Sequence, residues 1–310
     1  MIAPVRPVSR SSQEGMRRDG AYTRSVLRAV LLGFLVGLPL LSHPPIDDDR
    51  FDPFRWGATY AGRPSGIIID QLGLTRFHLT VHGNFRPVGR MLERAQDTVV
   101  WVASDGFGIP MHIVLRSWFA MSVALLSGAV VLLVAFLTTR SPSTAPSTNS
   151  AVLLAPLAVP LLMIASGPQA PIVNFADIYL QTMVLVLVAS MAVARSRHLR
   201  PGPVRPVELA VAGFVGLLIA GFNELGVLAL PLMLVVLLVR ALVVHRVGWA
   251  QLLSSRATRL VGAVVTGFLL LFVPIRLWLS AHCVDNHCHA PSLIRLTYLR
   301  TCPIGLFLSS

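Results

Sequence analysis

Lysine is absent from this chain of 310 residues; all 26 of its basic residues are arginine. Charge of either kind is scarce. Asp, Glu and Arg together make up 13% of the residues, about half the share a soluble globular domain carries on its surface. That shortage excludes an ordinary soluble domain. Only three cysteines are present, which excludes a disulfide-built scaffold. No glycine-rich phosphate loop, nucleophile triad or internal repeat is found, and the glycines of "GNFRPVGR" are too sparse for a nucleotide fingerprint. The net charge of +12 does not indicate nucleic acid, because the arginines are scattered among apolar segments. Arginine without lysine, beside much Ala, Val, Leu, Gly and Pro, points to a GC-rich genome of the actinobacterial kind.

What the chain has is hydrophobic length. Apolar residues make up 54% of it. A spanning helix needs about 20 mostly apolar residues, and seven segments approach that: 24–42, 113–137, 151–167, 178–194, 207–222, 225–244 and 260–280. The fold class expected is therefore all-α, a polytopic helical membrane protein of about seven transmembrane helices. No small-x-small cleavage site follows the first apolar run, so it reads as a retained helix.

Arginine placement sets the orientation. Arg6, Arg10, Arg17, Arg18, Arg24 and Arg28 put the N-terminus in the cytoplasm of a multi-pass plasma (inner) membrane protein. Arg195, Arg197, Arg200 and Arg205, and then Arg246, Arg256 and Arg259, mark two further inner connections. The division that follows has a cytoplasmic Arg-rich segment 1–23, a first transmembrane helix 24–42 and an extracytoplasmic loop or cap 43–112. A transmembrane bundle of about six helices, 113–280, and an extracytoplasmic tail, 281–310, complete it. Within the cap, Val88, Met91, Leu92, Ala95, Val99 and Val102 recur at helical spacing, with Arg90, Glu93, Arg94 and Asp97 on the other side. That pattern predicts an amphipathic helix lying along the outer interface or closing the bundle as a lid.

Eleven of the fourteen acids fall outside on this topology. Asp47, Asp48, Asp49 and Asp52 open the cap in "SHPPIDDDRFDP", while Asp177 and Glu224 sit in very short outer turns. Such carboxylates can serve as a general base toward a sugar hydroxyl, or hold a divalent cation beside a phosphate. Their convergence into one site is the expectation. Arg63 in "GRP", Arg86 in "FRP" and nearby Arg90 are candidate phosphate-binding groups, two of them braced by proline. The alternative is that the aspartates mark the end of a helix and the arginines pair with them or with lipid headgroups.

A first helix, an outer loop opening on adjacent acids, and an interfacial helix resemble the integral-membrane glycosyltransferases of the GT-C type over about residues 24–120. "IDDDRFDPFRWG" with the following "GRP" also resembles the opening of bacterial membrane glucosyltransferases that decorate surface polysaccharides. The resemblance implies Asp47 or Asp48 as catalytic base, with Asp49 and Asp52 in support; Asp177 and Glu224 join the supporting acids by their place in the short outer turns. It implies transfer of a sugar from a polyprenyl-phosphate donor to a cell-envelope acceptor, the bilayer and that lipid-linked sugar being the partners. A divalent cation is the one optional cofactor. The chain departs from the family in having few helices and ending soon after the last.

The tail sequence "AHCVDNHCHAP" mixes Cys and His. A Cys283–Cys288 disulfide is the preferred reading for an outer segment, with unpaired cysteines and a zinc site as the alternatives and no metal assigned. Two other functions compete with the enzyme. A transporter needs ionisable groups near mid-membrane, and the apolar segments hold few. A non-catalytic or truncated accessory membrane protein is compatible with the short length.

Overall fold

The computed structural model describes residues 10–42, 51–82, 85–138, 154, 157, 176–222, 226–227 and 229–282. Among these residues the named elements are all helices. We number the main ones α1 (Arg10–Gly37), α2 (Gly66–His82), α3 (Pro87–Phe107), α4 (Met111–Thr138), α5 (Ala176–Val193), α6 (Pro206–Phe222), α7 (Ala229–Leu238) and α8 (Arg256–His282). A helical hook, 53–61, precedes α2. One π-helical stretch, Val239–Val244, continues α7.

Two helices are long and apolar enough to cross a membrane: Met111–Thr138 and, within α8, Arg256–Leu279. The 28 residues of α4 extend about 42 Å at 1.5 Å per residue, against about 30 Å for a hydrocarbon core. Tyr179–Val193, Pro206–Phe222 and Ala229–Val244 are shorter apolar helices. Six of the seven expected apolar segments coincide with described helices. The third, 151–167, falls almost wholly outside the described residues. Helix α1 starts at Arg10, inside the segment expected to be a separate cytoplasmic head.

Small residues set how closely the long helices pack. On α6 and α8, Gly213 and Gly267 meet backbone to backbone: a Cβ on Gly267 would run into the carbonyl of Gly213. Gly216 meets the Val264 carbonyl in the same way. Ile219, Met233, Val236, Val264 and Phe268 fill the space around this seam, all fully buried. The α1–α4 seam is built likewise. Gly33 and Gly37 face Ser127, Ala124 and Ala120, and Gly128 faces Val30. Phe119, Val123, Leu126, Leu180 and Leu187 join α4 to α5. Arg240, in the π-helical stretch, donates to the Phe136 carbonyl of α4 and lies over the Phe136 ring.

Helix α3 ends at Gly108, whose φ of +66° is a left-handed C-cap that a side chain would strain. The Gly108 amide donates to the Ser104 carbonyl at 3.0 Å. Pro110 follows, and α4 begins at Met111. The two helices are thus joined by a turn of minimal length.

Candidate functional site

Residues 51–107 build the charged part of the molecule. Pro53 starts the hook because a proline fits the first turn of a helix, where its missing N–H is not needed. Asp52 stands at the cap position but makes no capping hydrogen bond. Its carboxylate is engaged elsewhere: Arg94 Nη1 of α3 donates to Asp52 Oδ2 at 2.7 Å. The same nitrogen donates to Asp97 Oδ2 at 2.6 Å. Arg94 and Asp97 are one helical turn apart and buried, whereas Asp52 is a quarter exposed. The Arg94 guanidinium also lies 4.8 Å from the centre of the Trp56 ring, as does that of Arg55.

Close packing makes this arrangement possible. A side chain at Gly57 would collide with the Asp97 carbonyl and Trp101 Cβ, so the hook lies directly on α3. Trp56 stacks on buried Tyr60 with ring centres 6.1 Å apart. Gln71 of α2 donates to the Tyr60 hydroxyl at 3.3 Å.

The electrostatics follow from burial. Removal from water pushes the Asp97 carboxyl up to about 7; Arg94 pulls it down, and the Asp52 charge adds to the rise. For Arg94, burial disfavours the charged form, but Asp97 and Asp52 outweigh it and hold the guanidinium above its ordinary value. A carboxyl poised near neutrality can take up or release a proton at pH 7.

A cleft adjoins this cluster between α2 and the start of α3. It is lined by Gln71, Thr75, His78, Arg86, Pro87 and Arg90. Arg90 Nη1 donates to Glu93 at 2.9 Å.

The sequence-derived candidates are distributed as follows. Asp52 belongs to the buried cluster, and Arg86 and Arg90 share the cleft. Arg63 is not with them: it is mostly exposed and bonds Asp70 at 2.7 Å. Asp177 lies in the first turn of α5, its side chain outside the description. Asp47, Asp48, Asp49 and Glu224 lie outside the described residues, as do Cys283 and Cys288. The expected convergence of Asp47–Asp49 on Asp177 or Glu224 therefore concerns side chains outside the description. Among the described residues, no group of three or more His, Cys, Asp or Glu is placed to hold a metal ion.

The cluster's central members, Arg94, Asp97 and Trp56, are not among those candidates. The i, i+3 spacing of Arg94 and Asp97 is a signal present in the sequence. The partnership with Asp52, 42 residues away, has no such signal. The polar side of α3 is also the buried one: Arg94, Gln96 and Asp97 are covered, while Val99 and Val102 are 46% and 44% exposed. Pairing of the charges makes this burial tolerable. Compared with known protein families, curated proteins and solved structures, the chain matches none of them.

Proposed function

We propose that the protein is a multi-pass inner-membrane glycosyltransferase that moves a sugar from a polyprenyl-phosphate donor to a cell-envelope acceptor at the outer face. Membrane residence is supported by apolar side chains left uncovered on the apolar helices. Phe214 of α6, Val235 of α7, and Leu270 and Leu277 of α8 are each more than half exposed, a distribution suited to lipid. Arginine placement assigns the N-terminus to the cytoplasm and residues 43–112 to the outer face.

The observation that carries the transfer reading is the Asp52–Arg94–Asp97 cluster, a carboxyl poised near neutral pH beside a buried guanidinium. Asp52 is four residues from Asp48 in sequence, and its ion pair anchors the hook that follows Asp47, Asp48 and Asp49. In the proposed reaction, Asp47 or Asp48 takes the proton of the acceptor hydroxyl. The freed oxygen attacks the anomeric carbon, the bond from that carbon to the phosphate oxygen breaks, and polyprenyl phosphate leaves with the electron pair. Asp49, Asp52, Asp177 and Glu224 are supporting acids in this reading.

A second reading, a non-catalytic accessory membrane protein, is favoured by the way Arg94 is already engaged by two carboxylates, as in a structural clasp. Replacing Asp47, Asp48 and Asp49 by Asn separates the two. Loss of a general base typically costs about 10²–10⁴ in rate, so the transfer reading expects the dependent surface glycan to disappear. Unchanged glycan with a folded, membrane-inserted triple variant leaves the accessory reading.

A further inference from the structure

We infer that the end of the bundle where α5 passes into α6, and α7 into α8, is a docking surface for anionic lipid headgroups. This rests on the membrane residence proposed above and on no step of glycosyl transfer.

The two connections, 194–205 and 245–255, are distant in sequence but built as one layer. Pro201 and Ser255 form a bridge. The Arg256 amide donates to the Arg200 carbonyl at 3.3 Å, and Arg259 Nη1 donates to the Gly202 carbonyl at 3.3 Å. Leu199 of one connection and Leu252 of the other are buried in the same apolar core. With the leucines turned inward, the charges are left outside. Arg195, Arg200, Arg205, Arg246 and Arg259 are all exposed. Neither connection contains an acid, and the neighbouring Glu208 of α6 is already paired with Arg256 at 2.7 Å.

Arg246 is a cation kept against local preference. Its φ of +53° is left-handed, just past the π-helical stretch, where glycine is the residue that fits without strain. Among the described residues no other non-glycine residue has a positive φ. A use for the side chain accounts for an arginine held at that angle. The apolar groups beside the charges select a bilayer over a soluble acidic partner. Trp249 and Leu253, one turn apart on the short helix Trp249–Leu253, are 61% and 68% exposed. Val207 and Val243, next to the two connections, are exposed as well. Arginine beside exposed tryptophan and leucine suits the boundary between headgroups and acyl chains, and an anionic surface attracts each cation.

The test uses the full-length protein in detergent micelles, titrated separately with brominated phosphatidylglycerol and brominated phosphatidylcholine. Bromine quenches nearby tryptophan fluorescence, and subtracting the signal of Trp249→Phe isolates Trp249. Saturable quenching is expected, at least tenfold tighter for phosphatidylglycerol and weakened by salt. Arg200→Gln and Arg246→Gln should each weaken it about fivefold, the effect of one cation at an anionic surface. Arg246→Gly should weaken it as much while leaving the protein at least as stable, because it relieves the backbone; misfolding cannot produce that pair of results. Arg63→Gln, in the cap, should change nothing. Equal affinity for the two lipids overturns the inference. So does undiminished phosphatidylglycerol binding by the Arg200→Gln, Arg246→Gly double variant. Displacement of the lipid by soluble polyglutamate or an oligonucleotide at lower concentration assigns the face to a soluble acidic partner and also overturns it. Membrane residence is read separately, from the need for detergent to extract the protein: a chain that needs detergent but does not discriminate between the lipids loses only this inference. The triple Asn variant of Asp47, Asp48 and Asp49 should bind phosphatidylglycerol as the wild type does, whatever becomes of the glycan.

Discussion

Two of the seams in this molecule close on a glycine and differ in what surrounds it. Between α6 and α8, Gly267 meets Gly213 amid Val264, Phe268 and Ile219. Between the hook and α3, Gly57 meets the backbone of Asp97, beside Arg94, Asp52 and Trp56. The first seam is apolar, so its strength is dispersion and close fit. The second has the same close approach but surrounds it with charge. A seam of the first kind has nothing to titrate. The second ties local packing to a proton.

The comparison is broken most severely at Arg94. Arg94→Met removes the cation that bonds both Asp97 and Asp52, and breaking a buried ion pair costs about 3–5 kcal/mol. The loss should be larger at pH 8 than at pH 5, because protonating Asp97 relieves the uncompensated charge. Denaturant or thermal unfolding at the two pH values checks both statements, and a loss independent of pH counts against the ionic description. Next comes the apolar seam. Gly267→Ala forces a methyl group into the Gly213 backbone, an overpacking that typically costs about 1–3 kcal/mol, with no pH dependence. A tolerated alanine would mean that α6 and α8 do not meet at this point.

The third effect, from Asp97→Asn, is read as a slope against pH and not as a loss at one pH. Asp97's folded value, about 7, lies above its ordinary one, so the folded state holds the proton more tightly than the unfolded chain. Its contribution is complete below about pH 4 and is lost as pH rises through about 7. The wild type should therefore lose stability relative to Asp97→Asn across that window, by at most about 1.4 kcal/mol per pH unit. Parallel stability curves for the two proteins would place the titration elsewhere.

The long helices were legible because the length of an apolar run needs no knowledge of neighbours. The small-residue seams were partly legible too: Gly213 and Gly216 stand at helical spacing in α6. Helix α2 was not. Ile67, Ile68 and Ile69 are consecutive and β-branched, and apolar residues fall on several sides, so no 3.6-residue stripe marks it. Helix α3 was legible as a helix, and exposed Val99 and Val102 suit an apolar stripe lying along an interface; what covers its charged side was not legible, because Asp52 reaches Arg94 from 42 residues away. The candidate site divides along the same line. Arg86 and Arg90 share a cleft, as two nearby arginines flanking the proline-led start of one helix can. Arg63, in an equally proline-braced setting, is held by Asp70 at i+7, a pairing no local rule specifies.

The three-residue connection from Phe107 to Met111 has a mechanical consequence. Its leash spans at most about 10 Å even when fully drawn out, and its single left-handed pivot is Gly108. Helix α3 therefore cannot drift off the bundle while its clasp is open. It can only swing about the head of α4, so opening the clasp leaves α3 tethered beside the longest apolar helix among the described residues.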